Sequence, residues 1–215
     1  MSLIVRLRSK WDEWLGNQEI DARATGLESL AVDNVAPERL ERTRAGRSFV
    51  WGPVNGVTGI APVAALPTTV AQWTMWNADP YQAMAIDQLG VLLVSGTAAA
   101  GIVVLACLFQ APATIGAQVS GMQVTSASGG NHASKALFKS GVTLTQPTTP
   151  NWWPVAKSDS ANTAVLSVAA ENRDLRGGLI VPPGQGLGIC VLSGAGTTPL
   201  FAPFGMHFEA KLDLE

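Results

Sequence analysis

The sequence predicts an all-β fold, a jelly-roll β-sandwich preceded by an N-terminal helical or extended arm. Three observations lead to this fold class. Apolar residues recur with a period of two after residue 47, which is the side-chain period of a strand. Turn-forming Gly, Pro, Asn and Asp residues separate about eight short apolar runs, a spacing typical of sandwiches. The density of charged residues falls sharply near Arg47, which indicates a boundary between arm and sandwich.

The predicted arm comprises residues 1–46, and residues 47–215 form the predicted sandwich. Residues 1–47 carry eight of the 14 Lys and Arg residues and eight of the 16 Asp and Glu residues, so the segment is densely charged but neutral. Apolar residues at helical spacing predict an amphipathic helix that ends near Gly16, and a second short helix is predicted from Pro37. The apolar stripe of the first helix either packs on the chain's own sandwich or docks on another protein. We expect docking, through Leu3, Leu7, Trp11, Trp14 and Leu15.

Alternating and apolar runs predict the strands of the sandwich. These cover residues 48–51, 70–76, 83–94, 102–110, 117–125, 136–144, 163–170, 187–192 and 204–214. The last strand has the clearest alternation, because Phe204, Met206 and Phe208 alternate with glycine and polar residues. This pattern predicts a half-buried strand whose apolar side faces the core and whose polar side, with His207, faces water.

Residues 91–109 contain no charge and are long enough to be tested as a membrane-spanning helix. A segment rich in Gly, Ser and Thr interrupts the run at its centre, as a connection between two strands would. The nearest cations are Arg47 and Lys135, far from either end. Two buried strands joined by a short loop are therefore expected.

The composition is 47% hydrophobic and only 14% charged, against about 25% charged in typical domains. Such a surface suits a protein that neighbouring subunits cover. A net charge of −2 disfavours nucleic acid and anionic membranes as partners, because both bind clustered Lys and Arg. The N-terminus lacks the apolar region of a signal peptide, which favours synthesis in a cytoplasm.

No residue pattern indicates catalysis or a cofactor, so a non-enzymatic protein is expected. His132 lies in a Gly- and Ser-rich loop suited to a partner contact, and neither histidine has a second metal ligand at the usual spacing. Glycines at 184, 186 and 188 precede a strand and not a helix, which indicates a turn and not a phosphate-binding loop. Cys107 and Cys190 are expected to be reduced core residues, with a disulfide bond left open.

The adjacent tryptophans Trp152 and Trp153 lie in a proline-framed loop. Two adjacent side chains of a strand cannot both point into one core, so at least one is expected at a surface. Burial against a neighbouring subunit, packing within the chain and stacking on a sugar all remain open at this stage.

Three stretches together resemble phage and prophage virion structural proteins. They are residues 76–91, residues 94–102, and the turn and loop residues 181–184 and 193–200 before the closing strand. This resemblance, which spans roughly residues 47–212, implies a jelly-roll domain of a virion protein, often trimeric, with no catalytic residues to transfer.

The expected function is therefore a non-enzymatic bacteriophage virion subunit, such as a capsid decoration, head-fibre or tail-attached protein. Its expected partners are further copies of itself, in a homotrimer, and other virion proteins bound through the N-terminal segment. Two alternatives are a receptor-binding module that stacks host glycans on an exposed tryptophan, and a single jelly-roll capsid shell protein.

Overall fold

The protein is described here from a computed structural model, which describes residues 23–24, 30–31, 38–98, 100–158, 161, 168–193 and 199–211. The chain divides between Glu41 and Arg42 into two units, Met1–Glu41 and Arg42–Glu215. In the first unit, two short strands, β1 (Arg23–Ala24) and β2 (Leu30–Ala31), pair in antiparallel orientation. The predicted docking residues of the arm lie outside the described residues, so that role stays a prediction.

A short helix, α1 (Glu38–Arg44), confirms the second predicted helix. The boundary between the two units falls within this helix. Its end has the hydrogen bonds of a Schellman motif: the Gly46 N–H donates to the Thr43 carbonyl, and the Arg47 N–H donates to the Arg42 carbonyl. Gly46 has a φ of 67°, a left-handed conformation that glycine adopts without steric cost. The helix therefore ends where the sequence offers a glycine, just before the first strand of the sandwich.

In the described part of the chain, twelve strands form the sandwich, in two antiparallel sheets. Sheet I has the order β11-β6-β13-β4-β10-β7, with β8 also paired to β10, and sheet II has the order β12-β5-β14-β3-β9. The strands are β3 (Ser48–Pro53), β4 (Val70–Asn77), β5 (Ala83–Ser95), β6 (Ile102–Phe109), β7 (Ala111–Thr114), β8 (Ala117–Gln118), β9 (Met122–Ser126), β10 (Ala136–Gln146), β11 (Trp153–Ser158), β12 (Val168–Val181), β13 (Gly186–Leu192) and β14 (Leu200–Ala210).

The main core lies between the two sheets, because each contributes the inward side of its alternating strands. The indole of Trp51 in sheet II meets the ring of Phe138 in sheet I, with ring centroids 5.0 Å apart. Trp73, Met75 and Phe201 are among the fully buried side chains of this core. The predicted all-β sandwich is confirmed.

The uncharged run at residues 91–109 forms the end of β5 and all of β6, as predicted. Gly96 and Gly101, with φ angles of 79° and 82°, allow the tight connection between the two strands. Among the described residues, no helix is long and apolar enough to cross a membrane.

Side-chain hydrogen bonds of Asn77 and Asp79 stabilise the turn between β4 and β5. Asn77 Oδ1 accepts a hydrogen bond from the Asp79 N–H, and Asp79 Oδ1 accepts bonds from the N–H groups of Tyr81 and Gln82. Asn77 Nδ2 in turn donates to the carbonyls of Gln82 and Val181. Asp79 is therefore a turn residue, and its buried carboxylate accepts two backbone hydrogen bonds.

Several strands depart from the predictions. The single strand predicted over 117–125 is interrupted at Gly121, whose φ of 79° breaks it into β8 and β9. Gly177 and Gly178, a glycine pair typical of a turn, lie inside β12, where the pairing with β5 shifts register between Asp174 and Leu179. A glycine in a β-bulge and a glycine in a turn have the same local sequence signal.

The closing strand β14 is confirmed, but its predicted orientation is wrong. Gly205, His207 and Glu209 are buried, whereas Phe204, Met206 and Phe208 are only half-buried. The pairing explains this, because His207 lies opposite Ile86 and Glu209 opposite Met84, both residues of the main core. The polar side of β14 thus faces the interior, and His207 is not solvated.

Candidate functional site

On the outward side of sheet II, β14 presents apolar residues, because its polar residues face the core. Phe208 lies opposite Ala85 on β5, which in turn pairs with Ile180 on β12. Met206 lies opposite Val50 on the other side. Val50 is 38% exposed and Ile180 40% exposed. We call the residues Val50, Ile180, Phe204, Met206 and Phe208 the sheet II face.

Two further contacts shape the sheet II face. The Phe204 ring lies over Gly90, its cross-strand partner, so a Cβ at position 90 would be 2.6 Å from the ring. Arg42, from the end of α1, places its guanidinium 3.7 Å from the centre of the Phe208 ring. The same guanidinium lies 3.9 Å from the buried carboxylate of Asp87. The end of α1 is thereby held against sheet II.

The inward side of β14 forms a polar cluster with the segment that precedes β10. Ser134 Oγ donates a 2.5 Å hydrogen bond to Glu209 Oε1 and lies 3.2 Å from His207 Nε2. His207 Nε2 is also 3.4 Å from Glu209 Oε1, and the imidazole stacks on Phe49 with ring centroids 5.4 Å apart. This cluster links sheet II to the start of a sheet I strand.

The polar cluster contains the residue types of a hydrolytic triad in a different geometry. In a Ser-His-acid triad, the two ring nitrogens contact different partners, one the nucleophile and the other the carboxylate. Here Nε2 faces both Ser134 and Glu209, and His207 Nδ1 has no hydrogen-bond partner within the described part of the chain. The arrangement suits a structural link between strands.

The predicted contact residue His132 is exposed, and its ring packs against Gly46 at the end of α1. No group of three or more His, Cys, Asp or Glu side chains that could hold a metal ion occurs among the described residues. The two histidines are thus in different environments, His132 at the surface and His207 in the interior.

The two cysteines are free and buried. Burial raises the pKa of the Cys107 thiol to about 11 and that of the Cys190 thiol to about 12. The Gln72 N–H, 3.4 Å from Cys190 Sγ, lowers the latter pKa by a smaller amount. Both residues are therefore neutral thiols near pH 7, and a neutral thiol is a poor nucleophile and metal ligand.

The adjacent tryptophans pack on different clusters of the same chain, and both are half-buried. Trp153 packs against the main core at the start of β11. Trp152 covers a separate apolar cluster on the outer side of sheet I, whose members are Ala71, Cys107, Phe109, Val142, Leu144 and Trp76. Gly188 permits this packing, since a Cβ there would lie 3.2 Å from Trp152 Cη2.

Trp152 also forms one wall of an open groove of about 530 Å³. The groove lies between the segment before β4 and the loop that joins β10 to β11. Its lining residues are Leu66, Pro67, Thr68, Thr69, Thr148, Thr149, Pro150, Asn151 and Trp152, and we call it the Trp152 groove. None of these lining residues is charged.

Comparison of the chain with protein-family models, with curated proteins and with solved structures finds no match. The site therefore has to be interpreted from its own geometry.

Sequence reasoning identified Trp152, but it missed the threonines of the groove and the outward orientation of the sheet II face. The large apolar residues of the closing strand were the available signal for that face. The sequence predicted that they face the core, whereas they face outward.

Proposed function

We propose that the chain is a non-enzymatic jelly-roll subunit of a bacteriophage virion, which associates with copies of itself through the sheet II face. In this proposal the N-terminal segment, with Leu3, Leu7, Trp11, Trp14 and Leu15, docks the subunit on other virion proteins. The observation that carries the proposal is the orientation of β14, whose apolar side faces outward.

The order of strand pairing supports the jelly-roll assignment. Among eight strands in chain order, the first pairs with the last, β3 with β14, and the second with the seventh, β4 with β13. The third pairs with the sixth, β5 with β12, and the fourth with the fifth, β6 with β11. A long hairpin rolled into two sheets gives this nested pairing, which is characteristic of the jelly roll. Strands β7–β10 are then an insertion between the fourth and fifth strands.

Self-association follows from the exposure of the sheet II face. Val50 and Ile180, on opposite sides of β14 and β5, are exposed by 38% and 40%, with half-buried Phe204, Met206 and Phe208 between them. Partly exposed apolar side chains grouped on one side of a sheet are typical of an interface. Closed point-group symmetry is the usual way in which copies cover such a face, and the resemblance to trimeric virion proteins favours three copies.

The experiment combines particle analysis with light scattering of the purified full chain. We expect the protein in virus particles purified from the producing host, and a trimer in solution at micromolar concentration. Val50→Lys places a desolvated charge in the interface and is expected to give a folded monomer. Leu137→Lys is the matched control, because Leu137 is 39% exposed on the outer side of sheet I, and it is expected to stay trimeric.

Circular dichroism establishes that each variant is folded. A monomeric wild-type chain, or equal loss of association in both variants, would show that the sheet II face is not the interface. Absence of the protein from purified particles would overturn the virion assignment independently of its oligomeric state.

A further inference from the structure

The Trp152 groove is built from two segments that are distant in the sequence. Residues 66–69 precede β4, and residues 148–152 follow β10, so the pairing of these two strands brings the segments together. The Leu144 N–H donates a 2.7 Å hydrogen bond to the Thr69 carbonyl, which ties one wall to the adjacent strand. Pro67 and Pro150 restrict the backbone of both walls. The groove is therefore largely preorganised, which reduces the entropic cost of binding a ligand.

The groove presents a neutral polar lining beside one aromatic side chain. Four threonine hydroxyls and the Asn151 amide can donate and accept hydrogen bonds, and Thr148, Thr149 and Asn151 are exposed. No lining residue is charged, so the groove offers no ion-pair partner to a phosphate, a carboxylate or an amine. The indole Nε1 of Trp152 is buried, and it has no hydrogen-bond partner among the described residues. Trp152 therefore offers a ligand apolar ring surface and not its N–H group.

The volume of the groove, about 530 Å³, falls in the range of about 300–1,000 Å³ that is typical of small-ligand sites. A neutral sugar has one apolar side formed by C–H groups and a rim of hydroxyls, which matches an aromatic surface bordered by hydroxyl and amide groups. A proline-rich peptide fits less well, because grooves for such peptides are lined by several aromatic side chains. Here Trp152 is the one aromatic residue of the lining.

We propose that the Trp152 groove binds a neutral oligosaccharide, with a sugar ring packed on Trp152 and its hydroxyls bonded to Thr148, Thr149 and Asn151. This activity adds to the role of a structural subunit and does not depend on it. It gives the chain a means of recognising a glycan surface.

The test uses the full chain and an array of neutral oligosaccharides, with sialylated glycans and a proline-rich peptide as separate arms. A neutral glycan identified on the array is then titrated by calorimetry. Thr149→Ala and Asn151→Ala remove exposed polar groups and are expected to weaken binding at least tenfold each. Thr125→Ala, which removes an exposed threonine from β9, is the matched control and is expected to leave the affinity unchanged.

Trp152→Ala is expected to abolish binding, but it also removes cover from the apolar cluster beneath. The two polar variants therefore decide the outcome if this variant does not fold. Binding of sialylated glycans or of the peptide alone, or no binding of any neutral glycan at millimolar concentration, would overturn the proposal. Unchanged affinity in both polar variants would also overturn it, because the bound sugar would then lie elsewhere.

Discussion

The outer sides of the two sheets carry the same pair of residues in different environments. On sheet I, Phe109 lies directly opposite Gly186, and on sheet II, Phe204 lies directly opposite Gly90. In both pairs the ring lies over the glycine, where a Cβ would collide with it. Phe109 is 1% exposed, whereas Phe204 is only half-buried. One cross-strand pair is thus part of a core, and the other is part of a surface.

The difference arises from what covers each sheet. Over sheet I, the loop between β10 and β11 places Trp152 on the apolar cluster, and Trp76 lies 6.2 Å from Phe109 between ring centroids. Over sheet II, Arg42 covers Phe208, while Val50 and Ile180 remain exposed to about the same degree. A strand pair alone therefore does not determine whether its aromatic residue is enclosed in a core or left at a surface. The segment that covers the pair determines it.

The largest expected effect follows directly from this contrast. Phe109→Ala is expected to reduce the free energy of unfolding by about 3–5 kcal/mol, the usual cost of truncating a buried phenylalanine. Phe204→Ala is expected to cost about 1–2 kcal/mol, because part of its ring area remains in water in the native monomer. Urea denaturation of both variants in the Val50→Lys background, which is expected to be monomeric, compares the two costs without a contribution from self-association. Equal losses in the free energy of unfolding for the two variants would contradict the conclusion that Phe109 is enclosed and Phe204 only partly covered.

The glycine partners give a smaller effect in the same direction. Gly186→Ala forces a methyl group into the Phe109 ring, which cannot move because its cluster encloses it, so we expect a cost of about 1–3 kcal/mol. Gly90→Ala meets the Phe204 ring at 2.6 Å, but that ring can rotate toward solvent, and the expected cost is below about 1 kcal/mol. Neither glycine has a positive φ, so backbone strain does not enter the comparison. Thermal unfolding in the same background measures the cost of each substitution. A larger cost for Gly90→Ala than for Gly186→Ala would refute the idea that the Phe204 ring can move to accommodate the methyl group.

The sequence predicted most strands of the sandwich, because their signals are local. Apolar runs bounded by glycines and prolines correctly located β3, β4, β5, β6 and β13. Strand β11 was missed, since Trp153 and Pro154 lie in a segment whose prolines indicated a loop. Its pairing with β6 depends on a contact about 50 residues away in the chain, which local pattern does not contain.

The candidate sites show a second limit. Alternation along β14 correctly separated its two sides, but it could not say which side faces inward. The usual assignment of the polar side to water failed because Ser134, distant in sequence, supplies a hydrogen bond to Glu209 in the interior. The Trp152 groove was likewise hidden, because residues 66–69 and 148–152 meet only through the pairing of β4 with β10. Trp152 itself was identified from its position in the loop.

The smallest expected effect concerns His207, on the inward side of the strand that presents Phe204 outward. His207→Phe is expected to change the free energy of unfolding by no more than about 1 kcal/mol. The substitution removes the contacts of Nε2, but it also removes the buried, unpaired Nδ1, and loss of such a polar atom offsets the loss of a hydrogen bond. A phenyl ring can retain the stacking on Phe49. Ser134 and Glu209 stay bonded to each other, so neither becomes an unsatisfied buried group.

Ser134→Ala tests the same cluster from the other side. This variant leaves Glu209 without its shortest hydrogen bond and is expected to cost about 1–3 kcal/mol, more than His207→Phe. Urea denaturation at one pH, with both variants in the Val50→Lys background, gives the comparison. If His207→Phe is the more damaging of the two, the imidazole and not the Ser134–Glu209 bond holds the polar side of β14 in the interior. The inward orientation of the polar side of β14 would then depend on His207.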